Sequence, residues 1–246
     1  MRGIQHAVRL ARKQIKDGAD IIDIGGESTR PGASQISAEE ETKRIIPVIR
    51  ALAGKISVPI SVDTYKPKVA KAALEAGACI LNNIMGTNPS PALLKTAGKY
   101  NAAIVLMHIR GTPRTMQDNI SYRNLMADII RELREAIQKC LSAGIRPDKI
   151  IIDPGIGFGK TAAHNLEILN RLDELKILNR PVLIGTSRKS FIGAVLNKAV
   201  GQRLFGTAAT VCAGIINGAH IVRVHDVKAA KDIALMTDAI VNAYNT

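Results

Sequence analysis

The sequence has no tryptophan, and its few tyrosines and phenylalanines make aromatic residues only 3% of the 246 positions. Proteins that bind single-stranded nucleic acid stack bases on aromatic side chains, so that class is not favoured. Cysteine is equally scarce, because Cys79, Cys140 and Cys212 lie far apart and form no CxxC pair. This spacing favours reduced core cysteines over disulfides or metal ligands.

Long apolar runs are missing as well. No run reaches the roughly 18 to 20 residues that cross a bilayer, and the first residues lack the charged-then-apolar order of a signal peptide. We therefore expect a cytoplasmic protein that binds neither membrane nor nucleic acid. Acidic residues are in deficit, with 21 against 34 basic ones and a net charge of +13. Because the basic residues follow helical spacing rather than forming blocks, phosphorylated small molecules are the favoured partners.

Short apolar, β-branched runs alternate with helical stretches along the chain. Apolar residues recur at helical spacing over residues 4–17, and Gly18 follows as a stop signal. The predicted strands after it are 19–26, 58–64, 78–84, 102–108, 149–155, 181–187 and 220–226. Runs of this kind are typical of strands covered on both faces, and alternation with helices predicts a parallel sheet with right-handed crossovers.

Seven strands and eight helical segments predict a (β/α)8 TIM barrel that begins at its first helix and lacks the opening strand. A Rossmann-type sheet is the alternative, but no GxGxxG follows the first strand and no long crossover marks a reversal of strand order. The absence of a linker or a change in composition predicts one domain over residues 1–246. The longest connection, residues 109–121, leaves a strand end and is a candidate mobile active-site loop.

Polar residues follow nearly every predicted strand. The segment GGESTRPGA (25–33) offers the hydroxyls of Ser28 and Thr29 and the guanidinium of Arg30 just after two glycines that permit a sharp turn. Hydroxyl and guanidinium donors of this kind suit an anion. An ordinary turn with a Glu27–Arg30 salt bridge is the structural alternative.

Seven strand-end motifs together resemble the dihydropteroate synthase family. They are DIGGESTRPGA (23–33), SVDTYKP (61–67), LNNI (81–84), MHIRGTPRTMQ (107–117), DPGIGFGK (153–160), GTSRKSFIG (185–193) and RVHD (223–226). This family joins 6-hydroxymethyl-7,8-dihydropterin diphosphate to 4-aminobenzoate and releases pyrophosphate in folate biosynthesis. The resemblance implies a TIM barrel, use of Mg²⁺, and a homodimer formed by helices away from the mouth of the barrel.

The resemblance assigns the pterin edge to Asp153, Asp63 and Asn82. A carboxylate can accept two parallel hydrogen bonds from the guanidine-like edge of a pterin, as it does from arginine. Behind the apolar run IIIDPG, Asp153 is expected to be buried, so it needs a ligand or a lysine as partner. A structural aspartate bonded to nearby backbone is the alternative.

The remaining assignments also follow from the resemblance. Lys189 borders both substrates, Ser190 faces the benzoate carboxylate, and Phe158 forms the wall of the second pocket. The implied diphosphate grip consists of Thr29, Arg30, Arg223 and His225. The predicted catalytic residues are Lys189, Arg223 and His225. The structural alternatives are a solvated lysine at a helix start and a core histidine, and His108 either shapes its loop or touches ligand.

The sequence also departs from the family pattern. The family's first strand and loop, which supply an asparagine that helps hold Mg²⁺, have no counterpart here, so the metal ligands are unknown and we expect an open barrel edge. We hypothesise that Met1 is a misassigned start or marks a genuine truncation. Tyr65 replaces a small residue and Asn83 replaces an aspartate. The alternative functions are a pterin-binding methyltransferase domain and a non-catalytic pterin-binding remnant.

Overall fold

The computed structural model of the chain describes residues 2–28, 34–112, 114–118 and 120–243. Strands and helices alternate through these ranges. The strands are β1 (Ile22–Gly25), β2 (Ile60–Asp63), β3 (Ile80–Asn83), β4 (Ala103–Met107), β5 (Ile150–Asp153), β6 (Leu183–Ile184) and β7 (Ile221–Val222). The α-helices are α1 (Arg2–Lys16), α2 (Ala38–Leu52), α3 (Pro67–Glu75), α4 (Pro91–Lys99), α5 (Leu125–Ser142), α6 (Ala162–Asn170), α7 (Ser190–Leu196), α8 (Leu204–Ile216) and α9 (Val227–Val241).

The strands form a parallel array in chain order. β1 to β5 each bond to the next strand. β6 and β7 also pair in parallel, and a bridge between Ile152 and Val182 links β5 to the segment that leads into β6. This order lacks the reversal of a doubly wound sheet and is that of a (β/α)8 barrel. Within the described ranges no backbone pairing joins β1 to β7, so these two strands end the array.

Helices cover the strands on the outside, and the strands are apolar for that reason. Every residue of β2 and β3 is buried, as expected for parallel strands. A single cluster of buried apolar side chains extends from α1 to α7. Helix entry is set by polar caps whose side chains accept a backbone N–H three residues on, namely Ser37, Ser90, Asn124 and Thr161. None of the helices among the described residues combines the length and apolar content that crossing a bilayer requires.

The prediction differs most from the structure near the C-terminus, where the predicted strand 181–187 is reduced to β6. The interval between β6 and β7 holds two α-helices instead of one, because Asn197 adopts a left-handed φ of 50° and ends α7. The predicted strand 220–226 shrinks to β7, because the pairing ends where the Arg223 N–H donates to Ile184 O. Arg223 and His225 therefore follow β7 instead of lying within the strand.

Candidate active site

Polar side chains gather at the C-terminal ends of the strands, the face where barrel enzymes bind their substrates. Asp63 and Asp153 are the last residues of β2 and β5, and Asn82 lies one residue before the end of β3. All three are buried. Because a buried carboxylate is costly without partners, the groups around each aspartate determine what the site can do.

Arg223 joins two carboxylates at the β1–β2 side of the mouth. Its Nε donates to Asp23 Oδ2 at 2.7 Å, and its Nη2 donates to Asp63 Oδ2 at 3.0 Å. Asn82 Nδ2 also donates to Asp23 Oδ2, at 3.0 Å. Burial, and then repulsion by Asp23, raise the pKa of Asp63 to about 7 although Arg223 opposes this. Asp63 therefore exchanges its proton near neutral pH.

Asp153 is held by the tight turn that follows β5. Its Oδ1 accepts the N–H of Gly155 at 2.7 Å. A Cβ on Gly155 would lie 1.8 Å from the carbonyl oxygen of His108, so only glycine fits here, with a φ of +69°. Burial raises the pKa of Asp153, whereas the Gly155 N–H and the charges of Lys189, Lys160 and Arg223 lower it. Asp153 thus bonds to nearby backbone, as in the structural alternative, while Lys189, Lys160 and Arg223 act on it through their charges.

Lys189 and Phe158 lie against each other beside this turn. The Lys189 Nζ is 4.4 Å from the centroid of the Phe158 ring, and it also donates to the carbonyl of Ile156. Burial lowers the pKa of Lys189 to about 8, with Asp153 acting in the opposite direction. Ser190 begins α7 and is exposed. The predicted wall of the second pocket is therefore in contact with the predicted lysine.

His225 is linked to the loop after β6. Its Nδ1 lies 2.9 Å from Ser187 Oγ, which also accepts the His225 N–H at 3.2 Å. Arg188 donates to both carboxylate oxygens of Asp226, at 2.8 and 2.6 Å. These bonds connect the loop after β6, which carries Lys189, to the residues that follow β7.

Thr29 and Arg30 lie outside the described residues, as does the alternative salt bridge between Glu27 and Arg30. The residues on either side of them are tied together. Glu27 Oε2 accepts the N–H of Ile36 at 2.8 Å and the Nζ of Lys66 at 2.7 Å. The same Lys66 Nζ donates to the Ile36 carbonyl and to buried Glu41, both at 2.7 Å. Glu27 and Ile36 thus belong to one ion cluster around Lys66.

Tyr65 and Asn83, the two departures from the family pattern, both form hydrogen bonds in the structure. The hydroxyl of Tyr65 donates to Glu27 Oε1 at 2.9 Å, and burial together with this carboxylate raises the pKa of Tyr65 to about 12. Asn83 is fully buried, and its Oδ1 accepts the N–H of Met85 at 3.1 Å. Its Nδ2 is buried without a hydrogen-bond partner. Tyr65 therefore supports the Glu27 cluster, whereas Asn83 shapes the turn after β3.

Sequence reasoning missed three polar residues of this face. Asp23 pairs with Arg223, Ser187 binds His225, and Lys160 is buried next to His108. Asp23 and Lys160 lie inside two of the quoted motifs, which was the signal that could have identified them. Ser187 precedes the SRKS lysine by two positions in the same way.

The protein residues do not form a metal cage in the part of the chain that the structure describes. No group of three His, Cys, Asp or Glu side chains there could hold a metal ion. Asp23 Oδ1 is buried without a hydrogen-bond partner and is a single spare acceptor. One such oxygen does not amount to a Mg²⁺ site built by the protein.

Comparison with known proteins adds independent observations. The family model described as "Pterin binding enzyme" matches residues 1–225. A dihydropteroate synthase from Clostridium beijerinckii is 48% identical over 239 residues, which cover 97% of this chain and 86% of that protein. The solved Yersinia pestis dihydropteroate synthase, in complex with a sulfonamide drug, superposes with a TM-score of 0.94 at 41% identity and covers 98% of this chain and 86% of its own.

A second solved structure agrees with the first. The dihydropteroate synthase of Clostridium difficile, determined in the presence of pteroic acid, has a TM-score of 0.91 and 44% identity, covering 96% of this chain and 88% of its own. These likenesses and the strand order confirm the predicted TIM barrel. The chain belongs to the pterin-binding enzyme family and, within it, to the dihydropteroate synthases.

Proposed function

We propose that the mouth of this barrel condenses 6-hydroxymethyl-7,8-dihydropterin diphosphate with 4-aminobenzoate to give 7,8-dihydropteroate and pyrophosphate. One observation carries the proposal beyond the family assignment: buried Asp63 and Asp153 end β2 and β5 on one face of the barrel, and Arg223 donates to Asp63 there at 3.0 Å. A carboxylate for the heterocycle and cations for the leaving anion therefore share one face of the barrel.

The pterin would lie against the β2, β3 and β5 ends. Asp153 accepts one backbone N–H and keeps other lone pairs for the amide and amino hydrogens of the pterin. Asp63 can either accept or donate near neutral pH because its pKa is about 7, which suits a ring edge that carries both kinds of nitrogen. Asn82 would form hydrogen bonds with the remaining ring nitrogens, as the family resemblance implies.

The chemistry is a substitution at the exocyclic methylene carbon. The C–O bond breaks and its electron pair leaves with pyrophosphate. The amino nitrogen of 4-aminobenzoate then forms the new C–N bond and releases a proton to solvent. Arg223 at the rim would stabilise the departing charge, and Lys189 would border both substrates. His225, positioned by Ser187, would assist Arg223.

An arylamine is already an unprotonated nucleophile at neutral pH, so the reaction needs no strong general base. Mg²⁺, if used, would arrive on the diphosphate, because magnesium retains waters and is usually bound through substrate phosphates with one or two carboxylates. It would neutralise phosphate charge. No step proposed for the protein residues depends on it.

A turnover assay tests the proposal. Pyrophosphate release is followed with both substrates, with the pterin diphosphate alone, and with 4-aminobenzoate alone. We expect product formation only with both substrates, and binding of 4-aminobenzoate by isothermal titration only after pterin and pyrophosphate are present. Binding of pterin without turnover would favour a methyltransferase domain, and absence of pterin binding would favour a non-catalytic remnant; either outcome contradicts the proposal.

The homodimer is a separate part of this proposal. α8 and α9 pack on each other and leave large apolar side chains exposed, including Phe205 at 84%, Met236 at 62% and Ile240 at 60%. Apolar patches of this kind are typical of interaction surfaces. Sedimentation should give a dimer for the native chain and a monomer for Phe205→Glu, whereas Ile177→Glu, at an exposed site elsewhere, should remain dimeric. A monomeric native chain would contradict it.

A further inference from the structure

A buried ammonium lies beneath the turn that follows Asp153, and the mechanism above leaves it without a role. Lys160 is only 3% exposed. Its Nζ donates to the carbonyl of Phe158 at 3.0 Å, lies 3.0 Å from His108 Nδ1, and reaches the His108 carbonyl at 3.5 Å. An ammonium has three donors, so these three acceptors match its full capacity.

The neighbouring histidine is the neutral member of the group. Burial, and then the charge of Lys160, lower the pKa of His108 to about 4. The ring is therefore uncharged at neutral pH, and its Nδ1 can accept from Lys160. On its other side, Nε2 lies 3.1 Å from Glu132 Oε2, although it is not aligned for a hydrogen bond. The positive charge of this group thus resides on Lys160.

Charged groups face Lys160 from every element around it. Asp153 of β5 and Glu132 of α5 favour its charged form, whereas Lys189 and Arg110 disfavour it. Burial is the largest influence and lowers the pKa of Lys160 to about 7. Both groups lie at the same turn: the Gly155 N–H donates to Asp153 Oδ1 at 2.7 Å, and the Lys160 Nζ is 3.4 Å from the position that a Cβ on Gly155 would take. Each group therefore favours the charged form of the other.

We propose that Lys160 is a positioning residue for pterin recognition, whose ammonium keeps the buried Asp153 carboxylate ionised before the pterin binds. It also fixes the backbone of Phe158, so one side chain aligns the pterin acceptor with the wall of the second pocket. This inference rests on the proposed function, since it assumes that ionised Asp153 binds the pterin. A pterin that needs the carboxylate should bind only above the pKa of Asp153, and removal of the Lys160 charge should move this limit to higher pH.

The experiment measures the dissociation constant of 6-hydroxymethylpterin by isothermal titration between pH 4.5 and 8. Lys160→Gln removes the charge but keeps an N–H donor for the Phe158 carbonyl, and Lys160→Arg keeps the charge. Lys95→Met removes one charge from the exposed surface of α4 and is the matched control. Asp153→Asn serves as the reference without a carboxylate. Thermal melting shows that each variant is folded.

We expect the pH below which pterin binding is lost to rise by about one unit in Lys160→Gln. Below that pH the variant should bind pterin roughly tenfold more weakly than the wild type. Lys160→Arg and Lys95→Met should keep the wild-type limit. Affinity that falls equally at every pH in Lys160→Gln, or does not fall, would overturn the role of the charge. The same shift in Lys160→Arg would also overturn it. If the wild type binds no pterin, the proposed function falls as well, whereas pH-dependent wild-type binding that Asp153→Asn abolishes leaves the proposed function intact.

Discussion

Two corners of the barrel mouth have opposite charge balances. The acidic corner consists of Asp23, Asp63 and Arg223, so two carboxylates share one guanidinium. The basic corner consists of Asp153, Lys160 and Lys189, so the charges of two lysines act on one carboxylate. Both corners are built from side chains at strand ends and in the loops that follow them. In the acidic corner burial raises the pKa of a carboxyl group, Asp63, whereas in the basic corner burial lowers the pKa values of the two lysines.

The difference shows how one face can bind a neutral heterocycle and a polyanion together. In the acidic corner, the pKa of Asp63 rises to about 7 through burial and then repulsion by Asp23. In the basic corner, burial lowers the pKa of Lys189 to about 8. Protonation of Asp63 would leave Arg223 with a single carboxylate, and thus with more net charge for a diphosphate. Ionised Asp23 and Asp63 therefore reduce the net positive charge that Arg223 can present to the leaving diphosphate.

The largest expected effect breaks the basic corner. Asp153→Asn removes the carboxylate on which two lysine charges act and should lower kcat/KM for pyrophosphate release by about 10²- to 10⁴-fold. Two hydrogen bonds to a charged group contribute about 1.5–3 kcal/mol each, and about 1.4 kcal/mol corresponds to a factor of ten. Steady-state kinetics with both substrates measure the change.

The matched control is Asp148→Asn, on the three-residue turn before β5. Asp148 is exposed and pairs only with nearby Arg146 among the bonds described here. It should leave kcat/KM within about twofold, as surface substitutions usually do. A loss of less than about tenfold in Asp153→Asn would show that the basic corner does not bind the pterin.

The next effect breaks the acidic corner. Arg223→Met leaves Asp23 and Asp63 facing each other and should lower the free energy of unfolding by about 2–3 kcal/mol at pH 8. Breaking a buried ion pair costs about 3–5 kcal/mol, and half of the Arg223 side chain is exposed, so a smaller loss is expected. At pH 5 the loss should shrink, because Asp63 then holds a proton.

Urea unfolding at both pH values measures this loss. Arg131→Met, in an exposed ion pair of α5, should cost less than about 0.5 kcal/mol at either pH. An equal loss at pH 5 and pH 8 in Arg223→Met would mean that Asp63 does not titrate in this range, and would remove the electrostatic basis of the comparison.

The strand order and the position of the site could be predicted from the sequence for a physical reason. Strands covered on both faces have continuous apolar sequences, and the carboxyl ends of parallel strands lie at the same end of the barrel. Asp63, Asn82 and Asp153 therefore had to lie near one another once the runs were recognised. The single-domain organisation and the cytoplasmic location stay predictions.

The pairing across the mouth could not be predicted. Asp23 and Arg223 are 200 positions apart, and their contact depends on how far the array of strands curves, which no local pattern records. The burial of Lys160 is equally hidden, because a lysine just before a helix is usually solvated. The turn at Gly155 approaches His108 closely, and a Cβ on Gly155 would lie 3.4 Å from the Lys160 Nζ, so the ammonium lies beneath this turn.

The last variant sharpens the comparison by removing one acid from the acidic corner. Asp63→Asn keeps an oxygen that can accept from Arg223 but removes a buried charge. In the folded chain the pKa of Asp63 is about 7, above its ordinary value of 3.8. The folded state therefore binds a proton that the unfolded state has released, so stability falls as pH rises between these values.

The asparagine variant lacks that pH dependence. Its free energy of unfolding should match the wild type near pH 4 and exceed it by about 4 kcal/mol at pH 8, because the pKa of Asp63 differs by about 3 units between the two states and each unit is worth about 1.4 kcal/mol; its turnover falls. Urea unfolding across this range measures the difference between the two curves. Parallel curves would mean that Asp63 remains ionised beside Asp23 throughout, and the charge that Arg223 can offer a diphosphate would then be independent of pH.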